Sequence, residues 1–200
     1  MAGDGRYHHG DLRAALLREA EAELAEKGVE AFSLRGVAKR AGVSHAAPAH
    51  HFGDTAGLLT ALAVEGFERF MAAKEARMAR ETEPRGRFIA SGLGYIDFAL
   101  AHPALFRLMF ASARLDWTDP ALCAAGGRVF ALLGANVEAL RGAAPAEDET
   151  ARLDLVSAWA MVHGLSELMI SGRPNALMAL EGPAREAALR EIVGRALPPQ

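Results

Sequence analysis

Arg35, Lys39, Arg40, His45, His50 and His51 crowd basic or readily protonated side chains into residues 35–51. Guanidinium and ammonium groups neutralise phosphate, and an imidazole can donate or accept at a base edge, so the chemistry on offer is recognition of a polyanion. The whole chain carries a net charge of −3, so any such footprint has to be local. Five of the seven histidines fall before residue 52, which makes the distribution uneven. A solvated polar face is the competing reading of such a run, and the surrounding elements decide between the two.

Other chemistries find little support. The sequence has no phosphate-cradling glycine loop, no nucleophile elbow and no histidine–carboxylate set at metal-ligand spacing. His8–His9 and His50–His51 are adjacent, which places paired rings on different helix faces. His163 and Glu167 form one acid–base pair without a nucleophile. Cys123 is the only cysteine, so neither an internal disulfide nor a cysteine zinc site can form. The expectation is a non-enzyme with no cofactor and no metal.

The elements that must position the basic residues are short helices. Ser33 precedes an apolar-periodic run and can cap a helix in which Leu34, Val37 and Ala38 share one face. Gly42 suits a left-handed helix end, and Val43 can plug the corner. Ser44 is expected to cap a second helix running to about residue 52, giving a helix-turn-helix whose second helix can enter a major groove. That helix offers His45, Ala46, Ala47, Ala49, His50 and His51; its small side chains allow close approach to bases. Pro48 lacks an N–H and is expected to distort the final turn. A leading helix over 11–27, capped by Asp11 and stopped by Gly28, presents Leu12, Leu16, Ala20 and Leu24 as scaffold. Before it, a glycine-rich arm carries Arg6, which could touch phosphate or a minor groove.

Residues 12–62 resemble the DNA-binding domain of the tetracycline-repressor (TetR) family of one-component bacterial transcription regulators. The resemblance lies in the helix ending Glu26–Lys27–Gly28, in FSLRGVAKRAGVSHAAP over 32–48, in His51–Phe52 and in Leu58–Leu59. It implies an all-α fold: an N-terminal three-helix helix-turn-helix domain followed by a C-terminal helical bundle for ligand binding and dimerisation. The implied partners are a palindromic double-stranded DNA operator, a small-molecule effector and a second copy of the chain, in the cytoplasm. The candidate DNA-facing set is Ser33, Arg35, Lys39, Ser44, His45, Ala46, Ala47, Ala49, His50, His51 and Thr55. The family tolerates a proline at the position of Pro48. Departures occur at Ala49, where relatives commonly carry tyrosine, at His50, often a basic residue, and at Thr55, often a lysine meeting phosphate. Fewer fixed cations imply a shallower salt dependence. Three histidines facing DNA imply an affinity that falls as pH rises from about 6 to 8.

The remainder reads as helical. Domains are expected at 1–54, 55–85 and 86–200: the DNA-binding domain, a connecting helix capped by Asp54, and the ligand-binding domain. Leu58, Leu59, Leu62 and Phe67 of the connecting helix are expected to pack back on the DNA-binding domain, while Phe70 and Met71 head outward. The proline- and glycine-marked stretch 82–87 forms the joint. Trp159, His163 and Gly164 resemble the Trp-x-x-x-His-Gly motif of one C-terminal domain class in the family. Phe88, Tyr95, Phe98, Phe106, Met109, Phe110, Trp117, Trp159, Met161 and His163 could line an apolar effector pocket, although the same residues would fill any helical core. Two late helices with apolar faces suggest a homodimer interface, which two half-sites about 34–36 Å apart also require. No signal-peptide stretch and no ~20-residue apolar segment is evident, so no membrane is expected. The alternative function is a ligand-binding helical dimer that has lost DNA binding, for which Ala49 and Thr55 speak.

Overall fold

The computed structural model describes residues 9–196, and every regular element among them is a helix. The arm with Arg6, the Asp11 side chain and Leu197 lie outside the described positions. In chain order the helices are α1 (His9–Lys27), α2 (Leu34–Ala41), α3 (Ala47–Phe52), α4 (Thr55–Met78), α5 (Pro84–Ala101), α6 (Pro103–Ala111), α7 (Pro120–Arg141), α8 (Glu149–Ile170), α9 (Asn175–Met178) and α10 (Gly182–Gly194).

Local chemistry sets most boundaries. Gly28, at φ +73°, ends α1. Asp54 caps α4 by accepting from the Gly57 N–H at 2.8 Å, and Asp119 caps α7 from Leu122 at the same distance. Asp148 caps α8, with its carboxylate 2.7 Å from the Ala151 N–H. Helix α9 had no counterpart in the sequence reading.

By packing, the described chain divides into two compact units. One holds the residues up to Gly66 together with Ala104–Cys123; the other holds Phe67–Pro103 and the residues from Ala124 onward. In the first unit Leu16, Ala20 and Leu24 of α1 are buried with Val37, Ala38, Leu58, Leu59 and Leu62. Leu105, Phe106, Leu108 and Met109 of α6 complete this core. The Arg114 guanidinium donates to the Val29 carbonyl, and the Asp116 N–H donates to Thr60 Oγ1 at 2.9 Å. Residues 104–123, expected within a C-terminal domain, therefore pack with the helix-turn-helix, because α6 brings four large apolar side chains to its core.

In the second unit α5 is nearly surrounded, with Phe88, Leu93, Tyr95, Ile96 and Phe98 all buried. Leu155, Val162, Leu165 and Met169 of α8 and Leu189 and Val193 of α10 are buried in the same unit. Phe70 leaves the N-terminal unit and is wholly buried in this second one: its ring meets Tyr95 and Phe98 at 4.7 and 5.2 Å. Helices α7 and α8 are each long and apolar enough to cross a membrane by length and composition, with mean hydropathies of 1.3 and 1.2. This departs from the expectation that no such segment exists; alanine raises the average without large apolar side chains. Only 28% and 33% of those windows are buried, so both helices keep broad apolar faces uncovered.

Candidate functional site

The basic residues sit on the helix-turn-helix, and its geometry follows from a few local choices. Ser33 has extended backbone and its hydroxyl accepts from the Gly36 N–H at 3.1 Å, which starts α2. Val37 and Ala38 turn inward, while Arg35 and Lys39 are exposed on the other side. Gly42, at φ +66° and ψ +28°, closes the helix. Its N–H reaches the Lys39 carbonyl at 3.3 Å and the Val43 N–H reaches the Ala38 carbonyl at 3.1 Å, a glycine-terminated helix end.

The second helix begins later than the sequence predicts. Ser44 does not cap it: the Ser44 carbonyl accepts from the Ala47 N–H at 3.0 Å in a turn, and α3 spans only Ala47–Phe52. Its N-cap position is Ala46, which has no side-chain cap. Pro48 consequently lies in the first turn, where its missing N–H has no helical partner to lose. It is buried and helps start the helix; it does not distort the final turn.

The candidate DNA-facing residues are placed as follows. Ser44, His45, Ala46, Ala49 and His50 are exposed, whereas Ser33, Ala47, His51 and Thr55 are half-buried. The His50 and His51 rings meet edge to face at 5.6 Å, and His51 leans towards Phe52 at 6.2 Å. Arg40, counted in the basic run, is committed elsewhere. Its guanidinium bonds Glu26 at 2.6 Å and lies within 3.5 and 3.7 Å of Glu19 and Glu23. Lys27, and next Arg40, hold the Glu26 carboxyl below its ordinary range by hydrogen bonding. Arg40 thus joins α2 to α1, leaving Arg35 and Lys39 as the exposed α2 cations that no carboxylate among the described residues holds.

One residue absent from the sequence reading belongs beside this surface. Arg13 of α1 is exposed, with its guanidinium 5.1 Å from the centre of the Phe52 ring. It also lines a cleft with Asp54, Gly57, Thr60, Asp116 and Asp119. Leu12 and Leu16 gave α1 a scaffold role, and nothing in the spacing singled out the arginine between them.

The candidate effector residues divide between the two units. Phe106, Met109, Phe110 and Trp117 belong to the first, and Phe88, Tyr95, Phe98, Trp159 and His163 to the second. Trp117 is half exposed and donates its indole N–H to the Ser112 carbonyl at 3.2 Å. In the second unit the Tyr95 hydroxyl and His163 Nδ1 are 2.8 Å apart. Burial pushes the Tyr95 hydroxyl well above the ordinary tyrosine range; a hydrogen bond with Trp159 acts against it and Glu167 adds to it. Trp159 packs edge to face on Phe130 at 6.0 Å. His163 is therefore a hydrogen-bonded histidine at the edge of the core.

The comparisons agree with this architecture. The model of the bacterial regulatory proteins of the tetR family matches residues 16–62, and that of the tetracyclin repressor-like C-terminal domain matches residues 88–194. No curated protein matches the sequence. A protein of unknown function from Rhodococcus sp. RHA1 is similar in structure, with 36% identity, 97% of this chain and 99% of that chain covered, and a TM-score of 0.77. A TetR-like transcriptional regulator from Rhodococcus sp. RHA1 shares the fold at 15% identity, covering 95% and 97% of the chains with a TM-score of 0.69. The multidrug binding protein EbrR does so at 21% identity, 94% and 96% coverage and a TM-score of 0.53. Since the C-terminal model alone spans more than half of the sequence and the N-terminal one covers the helix-turn-helix, this protein belongs to the TetR family of DNA-binding bacterial transcription regulators.

Proposed function

We propose that the protein is a one-component regulator, in the default case a repressor. It binds a palindromic operator as a homodimer and is released by a small, largely apolar effector. The observation that carries this reading is the surface of α2 and α3. A capped helix and a glycine-closed turn present exposed Arg35 and Lys39 beside the turn residues His45 and Ala46 and Ala49 in the first turn of α3. Small side chains let that helix lie deep in a major groove, where the imidazole of His45 can reach a base edge. Arg35 and Lys39 fit phosphates on either side.

Dimerisation is supported by the uncovered faces of α7 and α8. Leu153, Val156 and Leu168 are exposed on α8, and Ser157, Ala160 and Gly164 lie on that same face at helical spacing. No atom of the described residues lies within 4 Å of where a Gly164 side chain would start, so the glycine leaves room for a helix from outside the chain. The aromatic cluster of Phe70, Tyr95, Phe98, Trp159 and His163 supports effector binding in the C-terminal unit. EbrR, which shares the fold, is a multidrug binding protein and has been crystallised with imidazole. Effector binding would change DNA affinity only as far as it favours one arrangement of the two recognition helices over another.

Selection from a pool of random duplexes at low salt tests the reading. An enriched inverted repeat is the expected result. No enrichment at pH 6 or at pH 8 would favour the alternative, a ligand-binding dimer without an operator.

A further inference from the structure

Lys74 lies in the interior of the C-terminal unit and takes no part in what has been described so far. It is 4% exposed, although it sits near the C-terminal end of α4 between half-buried Ala73 and exposed Glu75. Its ammonium lies 5.4 Å from the centre of the Phe70 ring and 5.6 Å from that of Tyr95. Among the described residues no carboxylate lies within ion-pairing distance of it and no acceptor takes its hydrogens; its Nζ keeps a narrow contact with solvent, since every fully enclosed side-chain nitrogen or oxygen among them has a hydrogen-bond partner. Burial alone lowers its proton affinity, to a pKa of about 8, so it is still mostly charged at neutral pH. Two ring faces compensate an ammonium only partly, and a buried charge without a counter-ion is costly enough that such groups are nearly always paired.

The backbone keeps the site in place. At Gly94 of α5 a side chain would collide with the Lys74 Cα at 2.7 Å and with the Ala73 carbonyl at 2.9 Å. Only a glycine lets α5 come this close to the α4 backbone at the lysine. One face of Tyr95 is thereby turned to the ammonium while its hydroxyl bonds His163. The Trp159 side chain, 40% exposed, carries the cluster towards the surface. A cation, aromatic walls and a hydroxyl–imidazole pair thus converge with no anion among them. Glu167, the acidic group that bears on this cluster, acts on Tyr95 and not on Lys74.

We propose that Lys74 is the anion-binding group of the effector site, and that the effector is a small carboxylic acid with an apolar body. Its carboxylate would pair with the Lys74 ammonium, and the body would lie among Phe70, Tyr95 and Phe98. The assignment rests on the reading of the C-terminal unit as effector-binding and narrows it to acids.

The test uses the full chain at pH 7 with benzoate, naphthalene-2-carboxylate and decanoate, each beside its primary amide, read by melting temperature and tryptophan fluorescence. At least one acid is expected to bind roughly tenfold or more tightly than its amide, as a charge-assisted contact does relative to a neutral one. Lys74→Met is expected to level acid and amide, and to melt above the wild type without any ligand because it removes an unpaired buried charge. The proposal is overturned if amides match acids on the wild type, or if no acid in the panel binds. It is overturned equally if Lys74→Met keeps the preference or melts lower than wild type when empty. An amide that binds and lifts the protein from its operator would preserve the regulator reading while removing Lys74 from it. An acid that binds through Lys74 but leaves DNA affinity unchanged would do the reverse.

Discussion

Lys39 and Arg40 are neighbours in sequence and opposites in use. Lys39 stands free on the exposed side of α2, whereas Arg40 is bound by carboxylates of α1. Lys39→Ala should weaken binding to all duplexes alike and lower the slope of log affinity against log salt by about 1. Arg40→Ala should leave that slope unchanged and reduce the melting temperature, since it unties α2 from α1. Titrating both variants against one operator at several salt concentrations checks the pair. Lys74 makes a second prediction at this scale. Its folded pKa, about 8, is depressed from 10.5, so between these values the unfolded chain holds more protons and stability rises with pH. The cost of the buried charge, on the order of 3 kcal/mol, is fully present below pH 8 and gone above 10.5. Unfolding measured across that range should show the advantage of Lys74→Met over wild type shrinking as pH rises. None of this was legible in the sequence. Lysine in a long helix reads as solvated, and its burial depends on Gly94, twenty residues further along the chain in α5.

At the scale of elements, the features that depend on neighbouring residues were the ones that could be read. Ser33 caps α2 and Gly42 ends it as expected, because both signals are completed within four residues. The start of α3 turns on the same kind of local signal. Ser44 and Pro48 are each compatible with a helix start, and the turn from Ser44 to Ala47 gives the position to the proline. The turn itself can be tested. Gly42 holds a positive φ that costs a residue with a side chain about 1–2 kcal/mol, so Gly42→Ala should destabilise the protein by that amount. Because Gly42 fixes the angle between α2 and α3, the same variant should lose operator affinity at temperatures where it is still folded. Calorimetry paired with a binding titration separates the two effects.

For the whole molecule, the all-helical architecture followed from composition and periodicity, whereas packing groups the chain in its own way: the C-terminal family model covers 88–194, and Ala104–Cys123 within it belong to the first compact unit. Apolar periodicity identifies α6 as a helix with a buried face and says nothing about which core receives it. The outer faces of α7 and α8 pose the corresponding question between molecules. Gly164→Arg adds a long charged side chain at a position where, among the described residues, no other element lies within 4 Å of its first carbon, so the subunit should fold normally. Sedimentation should show it as a monomer, and operator affinity should fall on the order of a hundredfold or more as the second recognition helix is lost.

The return of Ala104–Cys123 to the N-terminal unit also constrains how this regulator can be taken apart or recombined. Fusing the DNA-binding half of a regulator to a foreign domain is ordinarily a matter of one junction, placed in the connecting helix. Here such a junction would strip α6 from its core and leave the Val29 carbonyl and the Thr60 hydroxyl without Arg114 and Asp116. A working chimera has to carry two separate stretches of this chain. During synthesis, too, the DNA-binding half stays incomplete until roughly residue 123 has left the ribosome, by which time all of α5 is already available to fold.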